Sequence, residues 1–296
     1  MPAGTYYLTV TSLVGAGSYH LATYYATTPL PYQPIREGSG SYVVTTADLN
    51  NDHVADLIVP DFYSNQVLIN YGVGDGTFRP AVAVAVGSGP IDVKVADFTG
   101  NGNLDLAVAN QLSNTISILL GDGTGTFHAA ADIPTLGGPT SLVVGDFNGD
   151  GHMDLAVANQ ASDTVQIFVG KGDGTFVEGS RIGSLGGPDS LAAADFTGDG
   201  HLDLVVATKD TGAAVILRGR GDGTFFPQQG LAVGPGSRSV VTGDFNGDGL
   251  PDLAALSADN GTMSVFMNSG HGYLLAPTRL AAGNSPRTLI AADFSG

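Results

Sequence analysis

The 296-residue sequence predicts an all-β chain of repeated four-stranded blades, a β-propeller. Three observations carry that prediction. An Asp-rich loop of nine residues recurs every 49 residues, at 48–56, 97–105, 146–154, 195–203 and 244–252, and a sixth begins at Asp293 before the sequence stops at Gly296. Each interval holds four short apolar runs divided by Gly-rich turns, with no segment of helical period. The same residue types return to the same slots: Phe98, Phe147, Phe196 and Phe245 with Leu49, then Phe78, Phe127, Phe176 and Phe225 with Leu274, then Leu57, Leu106, Leu155, Leu204 and Leu253. A unit of this period cannot bury its own apolar face and must stack on its neighbours, so these slots are core positions.

Residues 1–29 lie outside the repeat frame. Two alternating runs, 4–13 and 18–27, carry Tyr6, Tyr7, Tyr19, Tyr24 and Tyr25 around a turn at Val14–Gly17, which predicts a β-hairpin. A lone hairpin is marginal in water, so this one is expected to pack on the repeats or to be the remnant of a preceding domain. Residues 30–40, with Pro31, Pro34 and Gly38-Ser39-Gly40, predict a linker. The propeller follows over 41–296, as repeats 41–89, 90–138, 139–187, 188–236, 237–285 and a partial 286–296.

The third repeat shows the grammar. Ser141–Asp146 is a first strand, the acidic loop follows, and Met153–Asn159 is a second strand whose alternating Ala residues suit close packing of sheet on sheet. Thr164–Val169 is a third. Gly172-Asp173-Gly174-Thr175-Phe176 turns the chain, Asp-Gly supplying positive φ, and a fourth strand runs from Phe176 towards Leu185. By the same frame the first strand of repeat one lies at 41–47 and a surplus strand at 287–294. The expectation is five complete blades plus the first strand of a sixth, a fragment of a seven-bladed or similar ring.

Composition narrows the function. The net charge is −17 with only 11 Lys plus Arg, and 14 of the 28 acidic residues lie in the five complete loops. Nucleic-acid binding wants a basic face and is excluded as an expectation. An apolar content of 43% supports a packed fold, and the absence of Cys removes disulfides, zinc thiolates and thiol nucleophiles. No apolar run reaches the roughly 18 residues of a membrane span, and residues 1–4 do not read as a signal peptide, so an export signal is expected outside this chain.

The loops themselves read as calcium sites. Oxygen-bearing side chains stand at positions 1, 3, 5 and 9, with the backbone carbonyl of position 7 as a further donor. Calcium takes six to eight hard oxygen ligands, and a coiling loop delivers alternate residues inward. The candidate ligands are Asp48, Asn50, Asp52, Val54 and Asp56; Asp97, Thr99, Asn101, Asn103 and Asp105; Asp146, Asn148, Asp150, His152 and Asp154; Asp195, Thr197, Asp199, His201 and Asp203; and Asp244, Asn246, Asp248, Leu250 and Asp252. Without a cation the converging carboxylates repel. Glycine at position 6 permits the sharp turn, and in the first loop Asn51 and His53 stand where glycines are usual. The Asp97 loop offers two carboxylates and is expected to be the weakest of up to five sites. Ordinary turn chemistry explains one such loop but not five with fixed donor offsets.

These motifs, Asp-Phe-Asn-Gly-Asp-Gly-x-x-Asp-Leu and Gly-Asp-Gly-Thr-Phe, resemble the bacterial FG-GAP-like, or VCBS, repeat family, which is related to the calcium-binding blades of the integrin α-subunit β-propeller. The resemblance covers 41–296. It implies a secreted or cell-surface propeller with calcium between the first two strands of a blade. Residues 3–10 and 17–21 resemble the last strands of a bacterial pre-peptidase C-terminal β-sandwich.

The function expected is a calcium-stabilised, non-enzymatic interaction or adhesion module binding an extracellular protein or glycan. A lectin-like carbohydrate-binding propeller is the alternative, lowered by the absence of Trp, and a polysaccharide lyase is third. Arg220-Gly221-Asp222 is read as a by-product of the turn motif and Asn260-Gly261-Thr262 as a glycosylation sequon relevant only in a secreting eukaryote. The six His show no His-Glu-x-x-His spacing, no Gly-x-Ser-x-Gly elbow occurs, and Glu37 and Glu178 are the only glutamates.

Overall fold

A computed structural model describes residues 7–12, 19–24 and 40–292. The described residues are all-β, with no helix. Tyr7–Ser12 and Tyr19–Tyr24 pair antiparallel, Tyr7 opposite Tyr24 and Ser12 opposite Tyr19, as the alternating runs predict. The turn expected at Val14–Gly17 and all but Gly40 of the linker expected at 30–40 lie outside the described residues.

Five antiparallel sheets follow in chain order, each strand pairing with the next. Blade one is Thr45–Ala47, Asp56–Asp61, Gln66–Asn70 and Val82–Ala85. Blade two is Pro90–Ala96, Asp105–Asn110, Thr115–Gly121 and a short fourth strand, Phe127–Ala129. Blade three is Pro139–Gly145, Asp154–Asn159, Thr164–Gly170 and Phe176–Gly183. Blade four is Pro188–Ala194, Asp203–Thr208, Ala213–Gly219 and Phe225–Ala232, and blade five Ser237–Gly243, Asp252–Ser257, Thr262–Phe266 and Thr278–Ala281. The chain divides into two compact units, Met1–Val95 with Gly102–Asp132 and Ala292–Gly296, and Ala96–Asn101 with Ile133–Ala291.

The second strand of every blade is buried at all six positions. Such a strand has an apolar neighbour on both faces, so alternation gives way to a continuous apolar run. Within the second unit, Leu204 and Val206 of blade four pack with Ala156, Ala158, Val165 and Ile167 of blade three. The intervening Val205 and Ala207 pack instead with Val240, Leu253 and Ala255 of blade five. In the first unit, Ile58, Val67 and Ile69 of blade one meet Leu106, Val108 and Leu119 of blade two.

Polar bonds repeat between successive blades of the second unit. Leu191 N donates to Ser141 Oγ at 3.2 Å, Val240 N to Ser190 Oγ at 3.4 Å and Leu289 N to Ser239 Oγ at 3.0 Å. Residue 289 thus occupies the place of a next inner strand. The surplus strand expected at 287–294 is nonetheless not formed over its described part, 287–292. A strand needs a ladder partner, and no second strand for it stands among the described residues.

The loop aromatics pack as expected with one exception. Phe98 meets Phe176 edge-on at 5.4 Å and Phe147 meets Phe225 at 5.8 Å. Gly174 N and Gly223 N also donate to the carbonyls of Phe98 and Phe147, at 3.0 and 2.9 Å. Phe98, Phe147 and Phe196 are at most 2% exposed, whereas Phe245 is 39% exposed. Phe245 therefore departs from the core reading, because no turn residue among those described packs on it as Phe176, Phe225 and Leu274 pack on Phe98, Phe147 and the cluster of Phe196.

Candidate metal loops

Each Asp-rich loop joins the inner strand of a blade to its buried second strand. In the third loop, Asp146 Oδ1 accepts the amides of Gly149 at 2.7 Å and Asp150 at 3.2 Å, and Oδ2 accepts that of Gly151 at 2.9 Å. Asn148 Oδ1 accepts Asp150 N at 2.9 Å and its Nδ2 donates to Asp150 Oδ2 at 2.9 Å. Asp150 Oδ1 accepts His152 N at 2.8 Å. The fifth loop repeats every one of these bonds through Asp244, Asn246 and Asp248, with Leu250 N as the last donor.

This wrapping needs left-handed backbone at positions 4 and 6. Gly149 and Gly151 have φ of 76° and 85°, and in the first loop Asn51 and His53 reach 59° and 63°, as their tolerance of this region allows. There Asp48 accepts Asp52 N and His53 N, Asn50 bonds Asp52 in both directions, and Val54 N donates to Asp52. In the second loop Asp97 Oδ1 accepts the amides of Thr99, Gly100 and Asn101.

Position 9 has a role that motif reading does not show. Asp154 is fully buried, its Oδ2 accepting Phe147 N at 2.9 Å and its Oδ1 accepting Gly170 N at 2.8 Å. Asp56, Asp203 and Asp252 make the same pair of bonds, to Leu49 and Gly72, Phe196 and Gly219, and Phe245 and Asn268. Asp105 is likewise buried and accepts Gly121 N at 2.8 Å. The carboxylate clamps the start of its loop to a residue sixteen positions downstream, at or just beyond the end of the third strand. Burial pushes the carboxyls of Asp56, Asp154 and Asp203 up, against the lowering effect of the two amides, and their loop aspartates push them further. The amide of His152 chiefly holds Asp150 below the usual range, and that of Gly249 does so for Asp244.

The sequence places positions 1, 3, 5, 7 and 9 around one ion. Among the described residues, no group of three or more Asp, Glu, His or Cys is drawn close enough to hold a metal ion. The carboxylates of positions 1 and 5 face the loop's own amides and position 9 turns inward as the clamp. The donor set still suits a hard cation, since carboxylate and amide oxygens each carry two lone pairs and the loop amides use only part of that capacity.

The fourth loop differs. Asp195 accepts the amides of Gly198, Asp199 and Gly200, Thr197 Oγ1 donates to Asp195, and Asp199 Oδ1 accepts His201 N. Arg218 Nη2, however, donates to Asp199 Oδ2 at 3.0 Å, and this guanidinium is the main reason the Asp199 carboxyl sits low. A cation already stands on one of the proposed ligands. The 49-residue frame carries the signal: Tyr71, Leu120, Val169 and Met267 occupy the equivalent slot in the other repeats.

The imidazoles of His152 and His201 lie over Gly172 and Gly221, where an added Cβ would meet ring atoms at 2.4 and 2.3 Å. The Arg220-Gly221-Asp222 tripeptide is therefore engaged in its turn. Arg220 stacks on Phe226 at 4.3 Å, and Asp222 Oδ1 accepts Thr224 N and Oγ1 at 2.9 and 2.5 Å. No helix of the described residues is long and apolar enough to cross a membrane.

Solved structures share the fold at low identity. A "putative 6-phosphogluconolactonase" from Bacteroides fragilis NCTC 9343 superposes with a TM-score of 0.73 at 15% identity, over 98% of this chain and 84% of that one. A protein of the same description from Bacteroides uniformis ATCC 8492 gives 0.70 at 15%, over 94% and 82%. The periplasmic gluconolactonase PpgL of Pseudomonas aeruginosa gives 0.64 at 15%, over 96% and 98%. The expectation of a non-enzymatic chain is corrected by these neighbours, because its fold is shared with proteins named as enzymes. No curated protein matches the sequence. A family profile described as FG-GAP-like repeat matches residues 48–108, 97–157, 146–206, 195–255 and 244–296. With that profile running from the first Asp-rich loop to the last residue, the chain belongs to the FG-GAP-like repeat family.

Proposed function

We propose that this chain is a calcium-binding propeller module of a secreted or cell-surface protein, whose blades present a binding surface to an extracellular protein or glycan. The observation that carries the reading is the identical wrapping of the third and fifth loops, which differ at positions 7 and 8 yet hold oxygen donors at positions 1, 3 and 5 in the same hydrogen-bonded frame. A divalent cation would relieve the repulsion among these carboxylates, and binding only the folded state would raise its stability. Differential scanning calorimetry in excess calcium and in excess chelator tests this. A higher melting temperature with calcium is expected, and coincident melts would overturn it.

A glycan partner is supported by one feature of the first unit. Tyr42, Phe62 and Tyr63 meet edge-on at 5.6 and 5.3 Å, with Tyr42 45% and Tyr63 69% exposed. A second reading, hydrolysis of a sugar lactone, comes from the neighbours named as lactonases. A pH-stat assay on glucono-1,5-lactone tests it, and a rate equal to buffer alone would remove it.

A further inference from the structure

The start of an inner strand lies at the opposite end of its blade from the acidic loop, about 20 Å away at about 3.3 Å per residue. The 49-residue frame puts Ile91, Thr140, Asp189 and Arg238 at the second residue of successive inner strands. It puts Gln111, Gln160, Lys209 and Ala258 at the first residue after the second strand. Charge is thus confined to blades four and five, and the neutral residues in the other repeats show that the fold does not demand it.

The geometry brings these residues together. Lys209 N donates to Gly187 O at 2.9 Å, which sets the turn of blade four beside the start of its own inner strand. Thr140 Oγ1 donates to Pro188 O at 3.3 Å, so a side chain at this position reaches the start of the next inner strand. From blade three, Gln160 Nε2 donates to Asp189 Oδ1 at 2.7 Å. Arg238 and Lys209 act electrostatically on the same carboxylate, and Asp210 opposes them. All three of Asp189, Lys209 and Arg238 are half-buried. Yet neither cation lies within 4 Å of a carboxylate oxygen among the described residues, where the ion pairs are His53–Asp48, Lys94–Asp92, Arg181–Glu178 and Arg218–Asp199.

Two half-buried cations out of ion-pair reach of both Asp189 and Asp210, whose carboxylate lies over Gly187, stand beside an Asp189 carboxylate held at one oxygen by Gln160, an arrangement that suits a ligand of mixed chemistry. A simple anion would answer the cations and be repelled by Asp189. A neutral sugar would donate a hydroxyl to Asp189 and leave the cations unanswered. We propose that Gln160, Asp189, Lys209 and Arg238 form a binding site for a small polyhydroxylated carboxylate, a sugar acid. Lys209 and Arg238 take its carboxylate, and Asp189, oriented by Gln160, accepts its hydroxyl.

Isothermal titration of the full chain with D-glucuronate tests the site, with D-glucose and acetate as separate titrants and calcium held constant. Glucuronate is expected to bind more tightly than either. Arg238→Gln and Lys209→Gln should each weaken it by about tenfold or more, the loss of one charge-assisted hydrogen bond. Asp189→Asn should weaken glucuronate but not acetate. Arg238→Lys, which keeps the charge, should retain most of the affinity and guards against a folding defect, as does an unchanged melt. Arg279→Gln, an exposed cation on the fourth strand of blade five, should leave binding unchanged. Absence of glucuronate binding, equal binding of glucose or acetate, or undiminished binding by Arg238→Gln would overturn the proposal.

Discussion

Replacing Arg218 by Met, the residue that blade five carries in the same slot, should tighten calcium at the fourth loop. The guanidinium lies 3.0 Å from Asp199 Oδ2. An ion bound to that carboxylate at about 2.4 Å would stand about 5 Å from the Arg charge. Repulsion between charges of +2 and +1 at that separation is about 1.7 kcal/mol in bulk water. Physiological salt, with a Debye length of about 8 Å, reduces this to about 0.9 kcal/mol. Bulk permittivity is appropriate because both side chains are roughly a third exposed, 39% and 30%. The affinity gain is then about fourfold in physiological salt and approaches twentyfold at low ionic strength. A calcium titration followed at the His201 amide, which donates to Asp199, isolates this loop from the other four. An affinity unchanged within twofold at low salt, or a weaker one, would refute the reasoning.

Three further outcomes follow from the loops and the blade contacts. Asp154→Ala strands the buried amides of Phe147 and Gly170 and should cost about 3–5 kcal/mol in urea unfolding, whether or not calcium is present; a cost below about 1 kcal/mol would mean the clamp is idle. Phe147→Ala should cost about 3–5 kcal/mol, whereas Phe245→Ala, already 39% exposed, should cost no more than about 2, and equal losses by denaturation would contradict the packing. In excess chelator, carboxyl NMR should find Asp154 and Asp203 titrating above the ordinary aspartate range and Asp150 and Asp244 below it. The signs for stability are opposite: the depressed groups stabilise above the unfolded pKa of about 3.9 and lose that contribution as pH falls through their folded pKa. The raised groups impose a cost at neutral pH, relieved as pH falls from their folded pKa to the unfolded one; titration in the reverse order would refute both assignments.

Residues whose roles repeat every 49 positions were legible without coordinates. Leu155 and Leu204 are buried where the period places them, and the third loop makes its sharp turn at Gly151, where the glycine implies it. Roles that depend on strand adjacency were not legible. That Asp154 also takes the amide of Gly170, sixteen residues on, is seen only once the strands are placed. Arg218 lies nineteen residues from the carboxylate it holds, and Gln160 twenty-nine from Asp189. Phe245 has the sequence environment of Phe147, and only the neighbour it meets distinguishes them.

The alternation along Asp203–Thr208 carries a consequence for how the array comes apart. Because Leu204 and Val206 belong to one core while Val205 and Ala207 belong to the next, blade four is coupled energetically to both neighbours and cannot loosen alone. A cavity opened on one face of that strand weakens one coupling, whereas a one-residue slip exchanges its two faces and breaks both at once. In a nearest-neighbour arrangement of this kind, a change within that one strand is felt by the blade on either side of it.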